Sequence, residues 1–186
     1  METAVLDACV LFRGGVRDFL LWVAEAGAFS PAWSDAIHDE WMSNRRAKLG
    51  DPASRLEYAR SQMEQAFPGA NFEPDTIASK TISLPDANDV HVVATAIAAH
   101  AQTIITYNLA HFPDSALSPL RLRAEAPDAF CSRLFTADAE TVIEGARLHR
   151  QSLKRPAYDV EAYLEHLALQ DLKATSDLLR KSYDRI

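Results

Sequence analysis

The sequence predicts a parallel α/β domain carrying a helical C-terminal extension. Three observations predict it. Short runs of apolar or β-branched residues, Thr3–Leu6 and Gln102–Thr106 above all, stop at polar residues, the pattern of strands buried on both faces of a sheet. Amphipathic stretches of ten or more residues alternate with these runs and close on glycine or a change of polarity. Beyond Thr136 helical periodicity continues with no strand signal at all. The expected organisation is an α/β domain over residues 1–134 and a helical extension over 135–186. A chain of 186 residues buries about 70% of its unfolded surface, enough to fold without disulfides or a structural metal.

Each element has a local reason. Thr3–Leu6 reads as a central strand that delivers Asp7 to its C-terminal end. Val16–Ala26 places Phe19, Leu20, Val23 and Ala24 on one helical face and stops at Gly27. Ala28–Ala32 is a second short strand, with Pro31 near its end. Ser34 caps a helix that carries Ile37, Glu40 and Trp41 and runs to Leu49 before Gly50. Asp51 caps the next helix, to Phe67, with Pro52 at its first position and Leu56, Ala59, Met63 and Phe67 along one face. Asn71–Glu73 is a candidate third strand. Pro85–Asp89 opens a helix over Asp89–His100 whose apolar face is Val92, Val93, Ala96 and Ile97. Gln102–Thr106 is a buried strand that ends at Tyr107-Asn108, Arg121–Ala124 a last strand and Pro127–Leu134 a short helix. Asp138–Leu153, Val160–Leu172 and Ala174–Tyr183 are helices of the extension. The result is a parallel sheet of about five strands with helices on both faces.

The chain holds 19 basic and 26 acidic residues, a net charge of −7, which argues against a protein that coats nucleic acid with a broadly basic surface. An acidic site loaded with metal ions can still hide in that total. The first 112 residues carry 8 bases against 14 acids, the remainder 11 against 12, so the excess lies in the α/β part. Cys9 and Cys131 form neither a disulfide framework nor a zinc spacing, and each reads as a small buried residue. The N-terminus has no basic segment followed by an apolar one, and no window approaches about 18 apolar residues, so a cytoplasmic chain without membrane spans is expected.

Ligands of open parallel sheets sit beyond the carboxyl ends of the strands. Asp7 and Asn108 end strands there. The helix opening at Asp86-Ala-Asn-Asp89 points its acids to the same edge, and Glu40 follows the second strand. Alone, each has an ordinary reading as a cap, a turn former or a solvated helix residue. Together, Asp7, Glu40, Asp86, Asp89 and Asn108 form a carboxylate constellation that ionises only with difficulty unless a cation is present. Oxygen donors of this kind favour Mg²⁺ or Mn²⁺, which bind phosphate oxygens and turn bound water into a nucleophile. The chemistry indicated is metal-dependent phosphodiester hydrolysis.

Four segments carry a family resemblance: Val5-Leu6-Asp7-Ala8-Cys9-Val10-Leu11, Trp33 through Trp41, Asp89-Val90-His91-Val92-Val93-Ala94-Thr95-Ala96, and Ile105 through Phe112. In this order and spacing the chain resembles PIN-domain ribonucleases, and most closely their VapC-like toxin branch. The resemblance implies a three-layer α/β/α fold, an RNA substrate, Mg²⁺ or Mn²⁺, a small antitoxin partner and a homodimer. It assigns Asp7, Glu40 and Asp89 as catalytic, metal-binding acids; the chemistry of the constellation adds Asp86 as an extra ligand or as a group that supports one. Asn108 takes the place where a fourth acid often sits, so contact through water is expected there. Cys9 stands where Asn or Ser is common, weakening a local hydrogen bond, and His111 stands where Asp is common.

Arg13, Arg45 and Arg46 are candidates to bind the substrate phosphate, with an ordinary surface role as the alternative. Arg147, Arg150, Lys154 and Arg155 form a basic group that either tracks a phosphate backbone or is a solvated helix face beside Glu140 and Glu144. His38, His91, His100, His149 and His166 show no zinc spacing and read as surface or packing residues, and Trp22, Trp33 and Trp41 as core. Three other readings compete: a PIN nuclease that processes RNA without an antitoxin, a haloacid-dehalogenase-type phosphatase, and a non-catalytic scaffold. The phosphatase needs a second Asp where Cys9 stands.

Overall fold

A computed structural model describes all residues, 1–186. Chain contacts divide it into two compact units, one formed by Glu2–Phe12 and Ser30–Glu125, the other by Met1, Arg13–Phe29 and Ala126–Ile186.

The first unit holds the sheet. Strands β1 (Thr3–Leu6), β2 (Ser30–Ala32), β3 (Thr103–Ile105) and β4 (Arg123–Glu125) run parallel in the order β2-β1-β3-β4. Ala4, Val5 and Leu6 of the inner strand β1 are fully buried, as are Ile104 and Ile105 of β3. The register pairs Val5 with Ala32 on one side and Leu6 with Ile105 on the other. The sheet has four strands rather than five. Asn71 makes a single parallel bridge to Trp33, sealed by Phe72 N donating to Trp33 O at 2.9 Å. Pro68 and Pro74 bracket the segment and offer no amide hydrogens to extend the ladder.

Helices α1 (Ala8–Leu11), α3 (Asp35–Leu49), α4 (Ala53–Ala66), α5 (Val90–Ala98) and α6 (Asp114–Leu117) complete this unit. Ser34 Oγ accepts from Ile37 N, and Gly50 ends α3 in the left-handed region with φ 68°, donating to Arg46 O. At the next helix the expected cap is replaced. Pro52 holds the capping position, and the Asp51 carboxylate accepts from Arg45 Nε at 2.5 Å instead. A short 3₁₀ turn, Ala87–Asp89, precedes α5, which packs its Val92, Val93 and Ala96 face on β1 and β3.

The second unit is helical: α2 (Gly14–Glu25), α7 (Pro127–Ala137), α8 (Ala139–Ser152), α9 (Val160–Leu169) and α10 (Lys173–Leu179), with a 3₁₀ stretch at Arg180–Arg185. Phe19, Leu20 and Val23 of α2 are fully buried, whereas Trp22 is only half-buried. Gly145 lets α8 lie against the α2 backbone, where an added methyl would stand 2.7 Å from Val23 Cα. Asp128 of α7 accepts from the N–H groups of Ala174 and Thr175, both at 2.8 Å, and so caps α10 from outside it. No helix is long and apolar enough to cross a membrane.

Candidate functional site

The register of β1 and β3 sets the centre of the site. Leu6 lies beside Ile105, so the next residues of each strand, Asp7 and Thr106, also meet. Asp7 N donates to Ile105 O at 3.1 Å, and Thr106 Oγ1 donates to Asp7 Oδ2 at 2.6 Å. Both residues are buried, Asp7 at 2% exposure and Thr106 at 0%. A buried carboxylate requires compensation, and hydroxyl donors supply part of it.

Cys9 supplies another part. Its Sγ donates to Asp7 Oδ2 at 3.1 Å and accepts from Tyr107 N at 3.2 Å. The local bond expected at this position is present, made by a thiol, a weaker donor than Asn or Ser. Burial, followed by the charge of Asp7, pushes the Cys9 thiol up to about 12, so it stays a protonated donor.

Three further carboxyl groups converge on Asp7. Burial raises the Glu40 carboxyl above its ordinary range; Asp7 adds to the rise, His91 opposes it, and Asp89 and Asp86 add again. Asp89, 8% exposed, is raised first by burial, against a hydrogen bond from His111, and further by Asp7 and Asp86. Glu40 and Asp89 thus lie within electrostatic reach of Asp7 and Asp86 at the sheet edge. Asp86 Oδ1 also accepts from Asn88 N at 2.9 Å, so Asp86 caps the 3₁₀ turn that presents Asp89.

Two histidines enter the site that spacing alone leaves as packing residues or family departures. His111 Nδ1 lies 2.7 Å from Asp89 Oδ2 and 3.9 Å from Asp86 Oδ2. His91 Nε2 lies 3.4 Å from Glu40 Oε2, while its Nδ1 is 2.7 Å from the carbonyl of Asn88. One ligand atom from each of Asp86, Asp89 and His111 lies within 4.8 Å of the other two. This donor set fits a divalent cation.

The remaining candidates fall elsewhere. The Asn108 side chain is exposed; its backbone N–H donates to Thr106 Oγ1 at 2.9 Å, so Thr106, not Asn108, is the β3-end side chain bonded to Asp7. Arg45 is held by Asp51 and by Phe12 O at 2.6 Å, with its guanidinium over the Phe12 ring. Arg46 is exposed, and Arg13 pairs with Asp171 within the helical unit. The basic group of the extension is partly spoken for. Arg147 binds Glu144 through two hydrogen bonds, and Arg150 donates to the carbonyls of Tyr158 and Ile186.

A family model described as PIN domain matches residues 1–110, well over half of the chain. The chain belongs to the PIN-domain family. The match contains Asp7, Glu40, Asp86, Asp89 and Asn108 and ends just before His111. A second family model, described as VapC50 C-terminal domain, matches residues 127–181. Over 42 residues the chain is 50% identical to the protein named "Putative ribonuclease VapC50" of Mycobacterium tuberculosis (strain ATCC 25618 / H37Rv), a stretch that covers 23% of this chain and 25% of that protein. The matched stretch thus spans about a quarter of the relative's length. No solved structure matches the chain. The four carboxyl groups of this PIN sheet edge, from the end of β1, from α3 and from the turn before α5, make up part of the acidic excess of the first 112 residues.

Proposed function

We propose that this PIN-domain protein is a Mg²⁺- or Mn²⁺-dependent endoribonuclease that hydrolyses RNA phosphodiester bonds, and that it is the toxin of a type II toxin–antitoxin pair. The observation that carries the reading is the gathering of Asp7, Glu40, Asp86 and Asp89 at one sheet edge, where the charges of Asp7 and Asp86 raise the Glu40 and Asp89 carboxyls. Such a site is stable as a set of ionised groups only with a cation among them. The relative named as a ribonuclease supports RNA as the substrate.

In this reading Asp7, Glu40 and Asp89 hold the ion, with Asp86 as an additional ligand. A bound divalent ion would supply an activated water and charge compensation at the scissile phosphate. Thr106 and Cys9 keep the Asp7 carboxylate oriented, and Glu40, beside His91, orients the attacking water. Arg46, exposed, is the arginine to meet a substrate phosphate in this reading; Arg45 acts through the position of Phe12 rather than by reaching out. A small antitoxin partner, a homodimer and a cytoplasmic location belong to the same reading.

Brief expression of the protein in a bacterial host, followed by mapping of new 5′ ends across total RNA, tests it. Discrete cuts that vanish with Asp7→Asn are the expected result. The same ends from the wild-type and Asp7→Asn proteins, or no new ends from either, would contradict it.

A further inference from the structure

We infer that His111 is a metal ligand of the acid site and that its nitrogen makes the site select Mn²⁺ over Mg²⁺. The inference rests on the nuclease reading of the same site and deepens it by naming the ion and a ligand outside the acids.

The geometry is that of a chelate. Adjacent ligands about 2.1 Å from an octahedral ion stand about 3 Å apart, and opposite ones about 4.2 Å. His111 Nδ1 is 2.7 Å from Asp89 Oδ2 and 3.9 Å from Asp86 Oδ2, each a few tenths of an ångström inside one of these two separations. The two atoms already face each other across a hydrogen bond, so a cation can take both as ligands without moving either side chain far. His111 is anchored for the task. It closes the 3₁₀ turn Leu109–His111, its backbone N–H donates to Asn108 O at 2.9 Å, and the next residue, Phe112, is buried at 2% exposure. The side chain itself is 39% exposed, so an ion reaches it from solvent.

Glu40 and His91 add a second observation. His91 Nδ1 lies 2.7 Å from the Asn88 carbonyl, which orients the ring so that Nε2 stands 3.4 Å from Glu40 Oε2. That Nε2 is sealed from solvent and makes no hydrogen bond. The acid site thus has an imidazole nitrogen on each flank.

Ion selectivity follows from donor chemistry. Mg²⁺ demands near-ideal octahedral oxygen ligation and sheds water reluctantly, whereas Mn²⁺, which also favours carboxylates, is a first-row transition ion that accepts an imidazole nitrogen beside them. A site of carboxylates alone does not separate Mg²⁺ from Mn²⁺ this way.

The test uses the full chain and metal binding, not cleavage. Isothermal titration with Mn²⁺ and with Mg²⁺ gives the two affinities, and electron spin echo modulation of the bound Mn²⁺ detects a directly coordinated ¹⁴N. Wild type is expected to show nitrogen coupling and tighter Mn²⁺ than Mg²⁺ binding. His111→Asn keeps a hydrogen-bond donor beside Asp89 but offers no comparable nitrogen ligand. It is expected to lose the His111 contribution to the coupling and to weaken Mn²⁺ binding by about tenfold or more, with Mg²⁺ affected less. His111→Asp, which returns an oxygen donor, is expected to bring the two ions to near equality. Mn²⁺ that binds without nitrogen coupling, or equal losses for both ions in His111→Asn, would overturn the inference and leave the nuclease reading standing. Failure of the wild type to bind either ion would overturn both.

Discussion

Thr106 Oγ1 donates a 2.6 Å hydrogen bond to Asp7 Oδ2, and the two residues sit side by side only because Leu6 and Ile105 are register partners. The bond holds one carboxylate oxygen of a 2%-exposed aspartate at the centre of the acid site. Thr106→Val keeps the volume and removes the donor. It is expected to lower the second-order rate of RNA cleavage by about 10- to 100-fold while the protein stays folded by circular dichroism. Thr106→Ser, which restores a hydroxyl, is expected to recover most of that loss.

Gly145 tests how the helical unit is assembled. A Cβ there meets Val23 Cα at 2.7 Å and Trp22 O at 3.0 Å, both backbone atoms that cannot step aside. Gly145→Ala is expected to destabilise the protein by about 1–3 kcal/mol, read as a lower urea midpoint at unchanged m value. Gly15→Ala is the contrast. Its Cβ meets the far end of Gln170, a flexible side chain, so the change is expected to stay within about 0.5 kcal/mol.

Asp128 caps a helix to which it does not belong. Its two oxygens take the N–H groups of Ala174 and Thr175 and the Thr175 hydroxyl. Asp128→Ala is expected to cost about 1–2 kcal/mol and to raise hydrogen exchange in α10 before α8, which mass spectrometry of peptic fragments resolves.

His149 predicts an acid limit to stability. It is buried at 2% exposure between Phe19 and Tyr163, whose hydroxyl lies 3.0 Å from Nδ1. Burial lowers it from 6.5 to about 4; Asp18 opposes the shift and His166 adds to it. Between those values the unfolded chain binds a proton that the folded chain refuses, so stability is complete above about pH 6.5 and falls as the pH drops toward 4. The full span is worth about 3 kcal/mol. Urea midpoints measured from pH 7 to pH 4 are expected to fall along this curve and to flatten in His149→Gln.

The order of elements and the acids were legible because both are local. Ser34 and Gly50 bound α3 by short-range rules, Asp7 follows directly on a buried strand, and Glu40 lies on the helix that follows the next one. What joins the elements was not legible, because it is set at long range. The partnership of Thr106 with Asp7 depends on strand register. The hydrogen bond of Cys9 to the same carboxylate depends on the turn of the chain into α1. His111 reaches Asp89 only because the 3₁₀ turn after Asn108 folds back toward α5. A histidine of unremarkable spacing carries no signal in a single sequence, and the same is true of Gly145, whose meaning appears once α8 lies on α2. The shortfall in the sheet has a different cause: Asn71–Glu73 has strand-like residues but lies between Pro68 and Pro74, and one bridge is all it forms.

The most direct measurement is cleavage of a defined RNA by the purified full chain with Mn²⁺, comparing wild type with Asp7→Asn, Glu40→Gln and Asp89→Asn, and with a chelator added. Loss of cleavage by about 10³-fold or more in each variant, and its abolition by the chelator with recovery on excess Mn²⁺, is the predicted result. Cleavage that persists in Asp7→Asn or is indifferent to the chelator would contradict the assignment of this acid site as a metal-dependent nuclease centre.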